Sequence, residues 1–169
     1  MKILIICLPR TGSTSLTNKI ADDNNLNPIF EPFDGQNRVI YNGEDNVVLK
    51  TIIDQTYPIG QKDYVNYWFN KSKEFDKIIL LSRKDLKACA ESLSFLDYNH
   101  RNGFQYNEKY EWYSTPNFNQ WYKYVISKNE DLHILGKLLN IDIIYYEDIF
   151  DLNSTERLRV GNLKLSSLI

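Results

Sequence analysis

The stretch KILIICLPRTGSTS, residues 2–15, decides the fold. Its first half is a continuous apolar run rich in Ile, which is typical of a strand buried on both faces of a parallel sheet. A Pro-Arg-Thr-Gly turn follows, and the chain from Ser13 to about Asp23 can form a helix with Leu16 and Ile20 on one face. The stretch therefore predicts a buried strand, a tight loop and a helix that begins directly after the loop.

Three more apolar runs predict buried strands, over residues 47–53, 77–82 and 141–145. Helical patterns lie between them, over residues 64–75, 85–95 and 115–139, the last with Thr115 as its cap and Pro116 in its first turn. Apolar strands that alternate with helices predict an α/β domain with three αβα layers and a mostly parallel central sheet. Residues 1–169 contain no repeat, low-complexity tract or linker, so we expect a single domain.

The composition narrows the classes of function. The 169 residues carry a formal net charge of −2, whereas a general nucleic-acid or membrane surface would show a clear excess of basic residues. No run approaches the roughly 18 apolar residues of a membrane span. The apolar stretch from Met1 to Leu8 is too short for a signal peptide, so we expect a cytoplasmic protein. Cys7 and Cys89 match no metal-ligand spacing, and no metal is expected.

The loop after the first strand is a candidate anion site. A strand, a glycine-containing loop and a helix N-terminus direct several backbone N–H groups at one point, and hydroxyl side chains can add donors. Gly12 would let the backbone approach a ligand with no Cβ in the way. The loop is not a Walker A motif, because Ser13 stands where that motif has Lys and the leading Gly is missing. The candidate ligand-binding residues are Arg10, Thr11, Gly12, Ser13, Thr14 and Ser15.

A second candidate anion site follows the strand at residues 77–82. That strand leads into Arg83, at a place where a nucleoside triphosphatase would need a carboxylate to help hold Mg²⁺. A cation there suits another phosphate better than a metal. Ser92 lies farther along the helix that follows. Taken alone, Arg83 is also compatible with an exposed surface charge.

Together, the two stretches resemble the cytosolic and carbohydrate sulfotransferases, which use 3′-phosphoadenosine 5′-phosphosulfate (PAPS). The resemblance implies a P-loop NTPase-like fold and metal-independent transfer of a sulfuryl group to a hydroxyl of a carbohydrate or other small molecule, with 3′,5′-ADP as the product. It also implies that the first loop holds the 5′-phosphosulfate and that Arg83 and Ser92 hold the 3′-phosphate.

The spacing within the second stretch selects a branch of that family. Ser92 is nine residues after Arg83, whereas many members have the Ser one residue closer. The longer gap and the Arg-Lys-Asp beginning at residues 83–85 are most similar to the bacterial trehalose 2-sulfotransferase branch. A shifted register would make Lys84 the cation instead.

Two further segments carry the resemblance. Glu31-Pro32-Phe33 stands where the bacterial branch has the Glu that serves as catalytic base, which implies that role for Glu31. Arg10 would stabilise the leaving group, as a Lys does in many relatives. Residues 145–149, YYEDI, are similar to a Tyr-Glu-Asp-Leu segment with a structural role in these enzymes. A loop carboxylate without a catalytic role is the alternative interpretation of Glu31.

Several residues stay open as candidates. Lys50 could face the sulfate or acceptor or form a surface salt bridge, and His100 is a distant alternative base. Arg157 and Arg159 could close over the 3′-phosphate or belong to an exposed basic tail. Aromatic residues between positions 98 and 124 suit either a ring-bearing acceptor or the core: Tyr98, Phe104, Tyr106, Tyr110, Trp112, Tyr113, Phe118 and Trp121.

Two other classes of function compete with the sulfotransferase. One is a kinase or other NTP-using phosphotransferase, which would need Mg²⁺. The other is a nucleotide-binding module without catalysis. In each case the expected partner is a small molecule, and a nucleic-acid or membrane partner is not expected.

Overall fold

The computed structural model describes residues 1–34, 41–56, 63–102 and 117–150. Its sheet is parallel throughout and has the order β2-β3-β1-β4-β5. The five strands are β1 (Lys2–Cys7), β2 (Asn27–Phe30), β3 (Val47–Ile52), β4 (Lys77–Ser82) and β5 (Ile143–Tyr145). The predicted α/β class is therefore confirmed.

The helices cover the two faces of this sheet. They are α1 (Ser13–Asn24), α2 (Tyr64–Lys71), α3 (Leu86–Asn102), α4 (Phe118–Leu139) and the short α5 (Tyr146–Ile149). The predicted helix at 64–75 ends in a 3₁₀ turn over Ser72–Glu74, and the helix predicted to end at Phe95 continues to Asn102. The predicted start at Thr115 and Pro116 lies outside the described residues.

The strand β2 was not predicted from the sequence. Its four residues, NPIF, include Pro28, which lacks the N–H that a central strand needs. The strand is tolerated because it lies at the edge of the sheet and pairs only with β3. The strand leads directly into Glu31, one of the candidate site residues.

Alternate side chains of β1 enter two different cores, as expected of a strand covered on both faces. One core packs against α1 and contains Ile3, Ile5, Cys7, Leu16 and Ile20. The other packs against α2, α3 and α4 and contains Leu4, Ile6, Trp68, Cys89 and Leu132. The sheet is thus the middle of three layers.

The topology marks one edge of the sheet as the place for a ligand. The chain leaves β1 for the side of the sheet that holds β2 and β3, and later crosses back to β4 on the other side. Such a change of direction opens a crevice at the carboxyl ends of the strands. Leu8 N donates to Leu81 O, and Ile53 N donates to Cys7 O, each at 3.1 Å. The loops that follow β1, β3 and β4 therefore begin side by side.

No helix within the four described ranges is long and apolar enough to cross a membrane.

Candidate functional site

The loop after β1 ends at the N-terminus of α1. Gly12 precedes the helix with a left-handed backbone (φ 67°), and no side chain caps the first turn. That turn also contains no acidic residue. The first N–H groups of a helix have no acceptor within it and carry the positive end of its dipole, so this end of α1 favours an anion.

The four loop hydroxyls divide into two pairs. Thr11 and Ser13 are buried. The buried Cys7 thiol at the end of β1 donates to the carbonyl of Thr51 at 3.2 Å, and burial raises its pKa. Thr11 Oγ1 also lies 2.8 Å from Leu8 O and donates to it. In contrast, Thr14 is exposed and Ser15 is half-buried. Thr11 and Ser13 therefore belong to the interior of the loop. Thr14 and Ser15 are the hydroxyls that a ligand can reach.

Gly12 has a close neighbour that the sequence did not reveal. A Cβ at this position would lie 2.8 Å from the ring of Tyr146 and 2.9 Å from that of Phe150. The two rings are stacked, with centroids 4.5 Å apart. The positive φ and these two rings require glycine at this position, whereas the sequence led us to expect glycine for the approach of a ligand.

Arg10 connects the loop to the second predicted site. Its Nε donates to Ser92 Oγ at 2.8 Å, across 82 positions of the chain. Its carbonyl accepts a longer bond of 3.4 Å from Arg83 Nη1. Arg10 also has a left-handed backbone (φ 60°), which is uncommon for a residue with a side chain. The structure thus brings together the three residues that we call the cationic cluster: Arg10, Arg83 and Ser92.

The segment after β5 contacts Arg83 and the two residues that follow it. Glu147 accepts hydrogen bonds from the backbone N–H groups of Lys84 at 2.8 Å and Asp85 at 3.2 Å. Its Oε1 lies 3.5 Å from Arg83 Nε. The guanidinium carbon of Arg83 is 5.0 Å from the centroid of the Tyr146 ring. Lys84 forms an ion pair with Asp148 and is exposed. The sequence signal for this contact was the Tyr-Glu-Asp segment.

Cys89 supports the loop from the core side. Its thiol donates to the carbonyl of Pro9 at 3.0 Å. Burial raises the pKa of this thiol to about 12, although Arg83 and Arg10 act in the opposite direction. The group therefore stays protonated at neutral pH, which the hydrogen bond to Pro9 requires.

Glu31 lies at the same edge of the sheet, just after β2. It forms an ion pair with Lys50, and Gln55 Nε2 donates to its other oxygen at 3.1 Å. The Lys50 side chain is 7% exposed and that of Glu31 is 27% exposed. Burial of the Glu31 carboxyl favours its neutral form, but the hydrogen bonds from Lys50 and Gln55 and the charge of Lys50 outweigh burial, so the pKa lies below its ordinary value. Glu31 is therefore ionised at neutral pH.

Two details of this pair differ from the sequence expectation. Lys50 lies within β3, opposite Ile5 and Phe30, and its salt bridge is buried instead of being at the surface. Gln55 was not expected at the site at all. Its amide oxygen accepts from Ile52 N at 3.0 Å, which fixes its amide nitrogen toward Glu31.

The remaining candidates are less closely connected. His100 is exposed and lies eight positions after Ser92 on α3, or roughly 12 Å along a helix. Among the aromatic residues, Phe118 and Trp121 pack partly buried against the core, and Trp121 Nε1 donates to Asp97 at 3.3 Å. The core interpretation therefore holds for these two. Outside the described residues lie Arg157, Arg159, Phe104, Tyr106, Tyr110, Trp112 and Tyr113.

Within the ranges that the structure describes, no group of three or more His, Cys, Asp or Glu side chains is placed to hold a metal ion. No protein-family model matches this chain, and no curated protein is similar enough to count as a match.

Proposed function

We propose that this protein is a cytoplasmic sulfotransferase with a P-loop-type nucleotide site, which transfers a sulfuryl group from PAPS to a hydroxyl of a carbohydrate or other small molecule. The observation that carries the proposal is the hydrogen bond from Arg10 Nε to Ser92 Oγ at 2.8 Å. It joins the loop expected to hold the 5′-phosphosulfate to the helix expected to hold the 3′-phosphate.

The donor set of the cationic cluster fits a nucleotide with two phosphate-bearing positions. Arg83 presents five N–H donors and Arg10 a second guanidinium, and both suit phosphate oxygens better than a point charge does. The first turn of α1 adds backbone N–H groups, and Thr14 adds an exposed hydroxyl. We assign the 5′ end of the nucleotide to residues 10–15 and the 3′-phosphate to Arg83 and Ser92.

The nucleotide would supply the activated sulfuryl group, and the chain's task is to position the acceptor and to stabilise charge. Arg10 carries a permanent positive charge at the loop, where it would stabilise the phosphate that departs. Glu31 is ionised and held by Lys50 and Gln55, so it can accept the proton of the acceptor hydroxyl at neutral pH. The strand β3 separates Glu31 from β1, which leaves roughly 10 Å of sheet between base and loop for an acceptor.

A thermal-shift experiment separates this proposal from its two competitors. The sulfotransferase should be stabilised by 3′,5′-ADP without added metal, since a ligand at 100 times its dissociation constant stabilises by about 2.7 kcal/mol. Stabilisation by ATP with Mg²⁺ and not by 3′,5′-ADP would favour a phosphotransferase. If 3′,5′-ADP stabilises the protein but no acceptor in a broad screen is sulfated, the nucleotide-binding module is the better account.

A further inference from the structure

The carboxylate of Glu147 faces the cation that the proposed function assigns to the 3′-phosphate. Its Oε1 is 3.5 Å from Arg83 Nε. Both side chains are largely removed from solvent, with 22% of Arg83 and 16% of Glu147 exposed. Charges that are partly buried are screened less by water and salt than exposed ones. Glu147 therefore weakens the positive potential of Arg83 more than a surface carboxylate would.

The contact is electrostatic rather than a formed hydrogen bond. Arg83 Nε has no hydrogen-bond partner within the described part of the chain, although it is buried and the carboxylate is near. The Nε–Oε1 distance of 3.5 Å is longer than the usual range for a hydrogen bond. Neutralising Glu147 would thus remove a negative charge next to Arg83 without removing a hydrogen bond of Arg83.

Other groups hold Arg83 in place. Its Nη1 donates to the Arg10 carbonyl at 3.4 Å, and its guanidinium lies over the Tyr146 ring. The hydrogen bonds that Glu147 does make go to the backbone of Lys84 and Asp85. Arg83 therefore has contacts besides Glu147, and these remain when the charge of Glu147 is removed.

We infer that Glu147 is a specificity-determining residue that limits how tightly Arg83 holds the 3′-phosphate. The inference rests on the proposed function. A carboxylate beside the cation lowers the affinity for any ligand with a 3′-phosphate, including the product 3′,5′-ADP, and so favours its release. It leaves a nucleotide without that phosphate nearly unaffected.

The test is Glu147→Gln, which keeps the size of the side chain and removes the charge. Its single amide oxygen can accept only one of the two backbone hydrogen bonds, from Lys84 N or Asp85 N, so circular dichroism must first show that the variant folds. For a carboxylate and a phosphate on opposite sides of the guanidinium, about 6–7 Å apart, at an effective dielectric constant of about 20–80, Coulomb's law predicts a gain in 3′,5′-ADP affinity between roughly threefold and 100-fold. The affinity for 5′-AMP should stay within about twofold of the parent. Both dissociation constants are measured by isothermal titration calorimetry.

The neighbouring residue provides a matched control. Asp148→Asn removes the same charge one position along, but Asp148 pairs with exposed Lys84. This variant should change 3′,5′-ADP affinity by less than about twofold, because exposed charges are well screened. A larger gain in Asp148→Asn than in Glu147→Gln would identify Lys84 as the cation and overturn the inference.

Other outcomes also decide the matter. Unchanged or weaker 3′,5′-ADP binding in a folded Glu147→Gln protein, or an equal gain for 5′-AMP, overturns the inference and leaves the proposed function intact. If the parent itself shows no preference for 3′,5′-ADP, the proposed function fails. Should Glu147→Gln not fold by circular dichroism, Glu147→Asp replaces it, since the shorter side chain draws the charge away from Arg83. Its affinity for 3′,5′-ADP should rise above that of the parent, and a decrease overturns the inference.

Discussion

At the carboxyl edge of the sheet, two groups of charged residues contrast in their balance of charge. In the cationic cluster, Arg10 contacts the hydroxyl of Ser92, and Arg83 contacts the carbonyl of Arg10 and the carboxylate of Glu147. On the other side of β1, Lys50 in β3 and Glu31 after β2 form a largely buried pair of opposite charges. Two neighbouring guanidinium groups attract an anion, whereas an ion pair of one cation and one carboxylate keeps the carboxylate ionised. This difference is the reason why we propose nucleotide binding for the first region and proton transfer for the second.

The substitution with the largest expected effect changes the Lys50–Glu31 pair and leaves the cationic cluster intact. Glu31→Gln keeps the size of the side chain but cannot accept a proton at neutral pH. A general base contributes about 10²–10⁴-fold to rate, so turnover should fall at least about 100-fold. Binding of 3′,5′-ADP should equal that of the parent, because the cationic cluster is unchanged.

Sulfuryl transfer to an acceptor found by screening measures the first quantity, and calorimetry measures the second. Arg10→Ala is the contrasting variant and should lose nucleotide affinity and turnover together. Near-parental turnover in Glu31→Gln would contradict the role of Glu31 and would move the search for the base toward His100.

The substitution with the next largest effect changes the cationic cluster. Arg83→Ala removes the charged hydrogen bond to the 3′-phosphate, which is worth about 1.5–3 kcal/mol, so 3′,5′-ADP should bind more weakly by that amount. The affinity for 5′-AMP should change little, because the bond from Arg83 to Arg10 is long at 3.4 Å. Lys84→Ala is the control and should change neither affinity much. A uniform loss for both ligands would mean that Arg83 supports the loop or the fold instead.

A smaller effect is expected on stability when the pair of Lys50 and Glu31 is broken. Lys50→Met leaves the Glu31 carboxylate without its cation. Breaking a fully buried pair costs about 3–5 kcal/mol, and partial exposure of Glu31 should reduce the loss in unfolding free energy to about 1–2 kcal/mol. The control is Lys19→Met, which breaks the exposed Lys19–Asp23 pair on α1 and should cost about 0.5 kcal/mol or less. Urea denaturation measures both, and equal losses would show that the Lys50 pair behaves as a surface pair.

The smallest effect is the dependence of stability on pH. The pKa of Glu31 is lower in the folded protein than its ordinary value of 4.5. Its ionised form therefore stabilises the fold above that value, and the stabilisation disappears as the pH falls through the folded pKa. The difference in unfolding free energy between the parent and Glu31→Gln should be constant above about pH 6 and shrink toward about pH 3. A difference that grows in acid would mean that the pKa is raised.

The sequence predicted the parts of this edge that depend on local pattern. The apolar run of β1, the loop at Arg10 and the strand that leads into Arg83 each have their own periodicity and turn residues. Parallel strands bring their carboxyl ends to one edge of a sheet, and this places the loop after β1 near Arg83 after β4. The structure confirms the α/β class and adds the contact of Arg10 with Ser92.

The remaining parts depend on contacts between distant segments, for which no local pattern exists. The strand β2 has four residues with a proline, and only its place at the edge makes it a strand. The partners of Glu31 follow from the register of β2 against β3, which places Phe30 opposite Lys50. The rings that require glycine at position 12 come from Tyr146 and Phe150, near the end of the described chain. None of these contacts leaves a signal in the neighbouring sequence.

The central claim is that Arg83 and Ser92 form a site for a 3′-phosphate beside the loop at Arg10. The most direct measurement is the thermal shift of the parent protein with 3′,5′-ADP and with 5′-AMP at equal concentrations, without metal. The account predicts a clearly larger rise in Tm with 3′,5′-ADP, because only this ligand engages both halves of the cationic cluster and stabilisation grows with affinity. Equal shifts with the two nucleotides would contradict it.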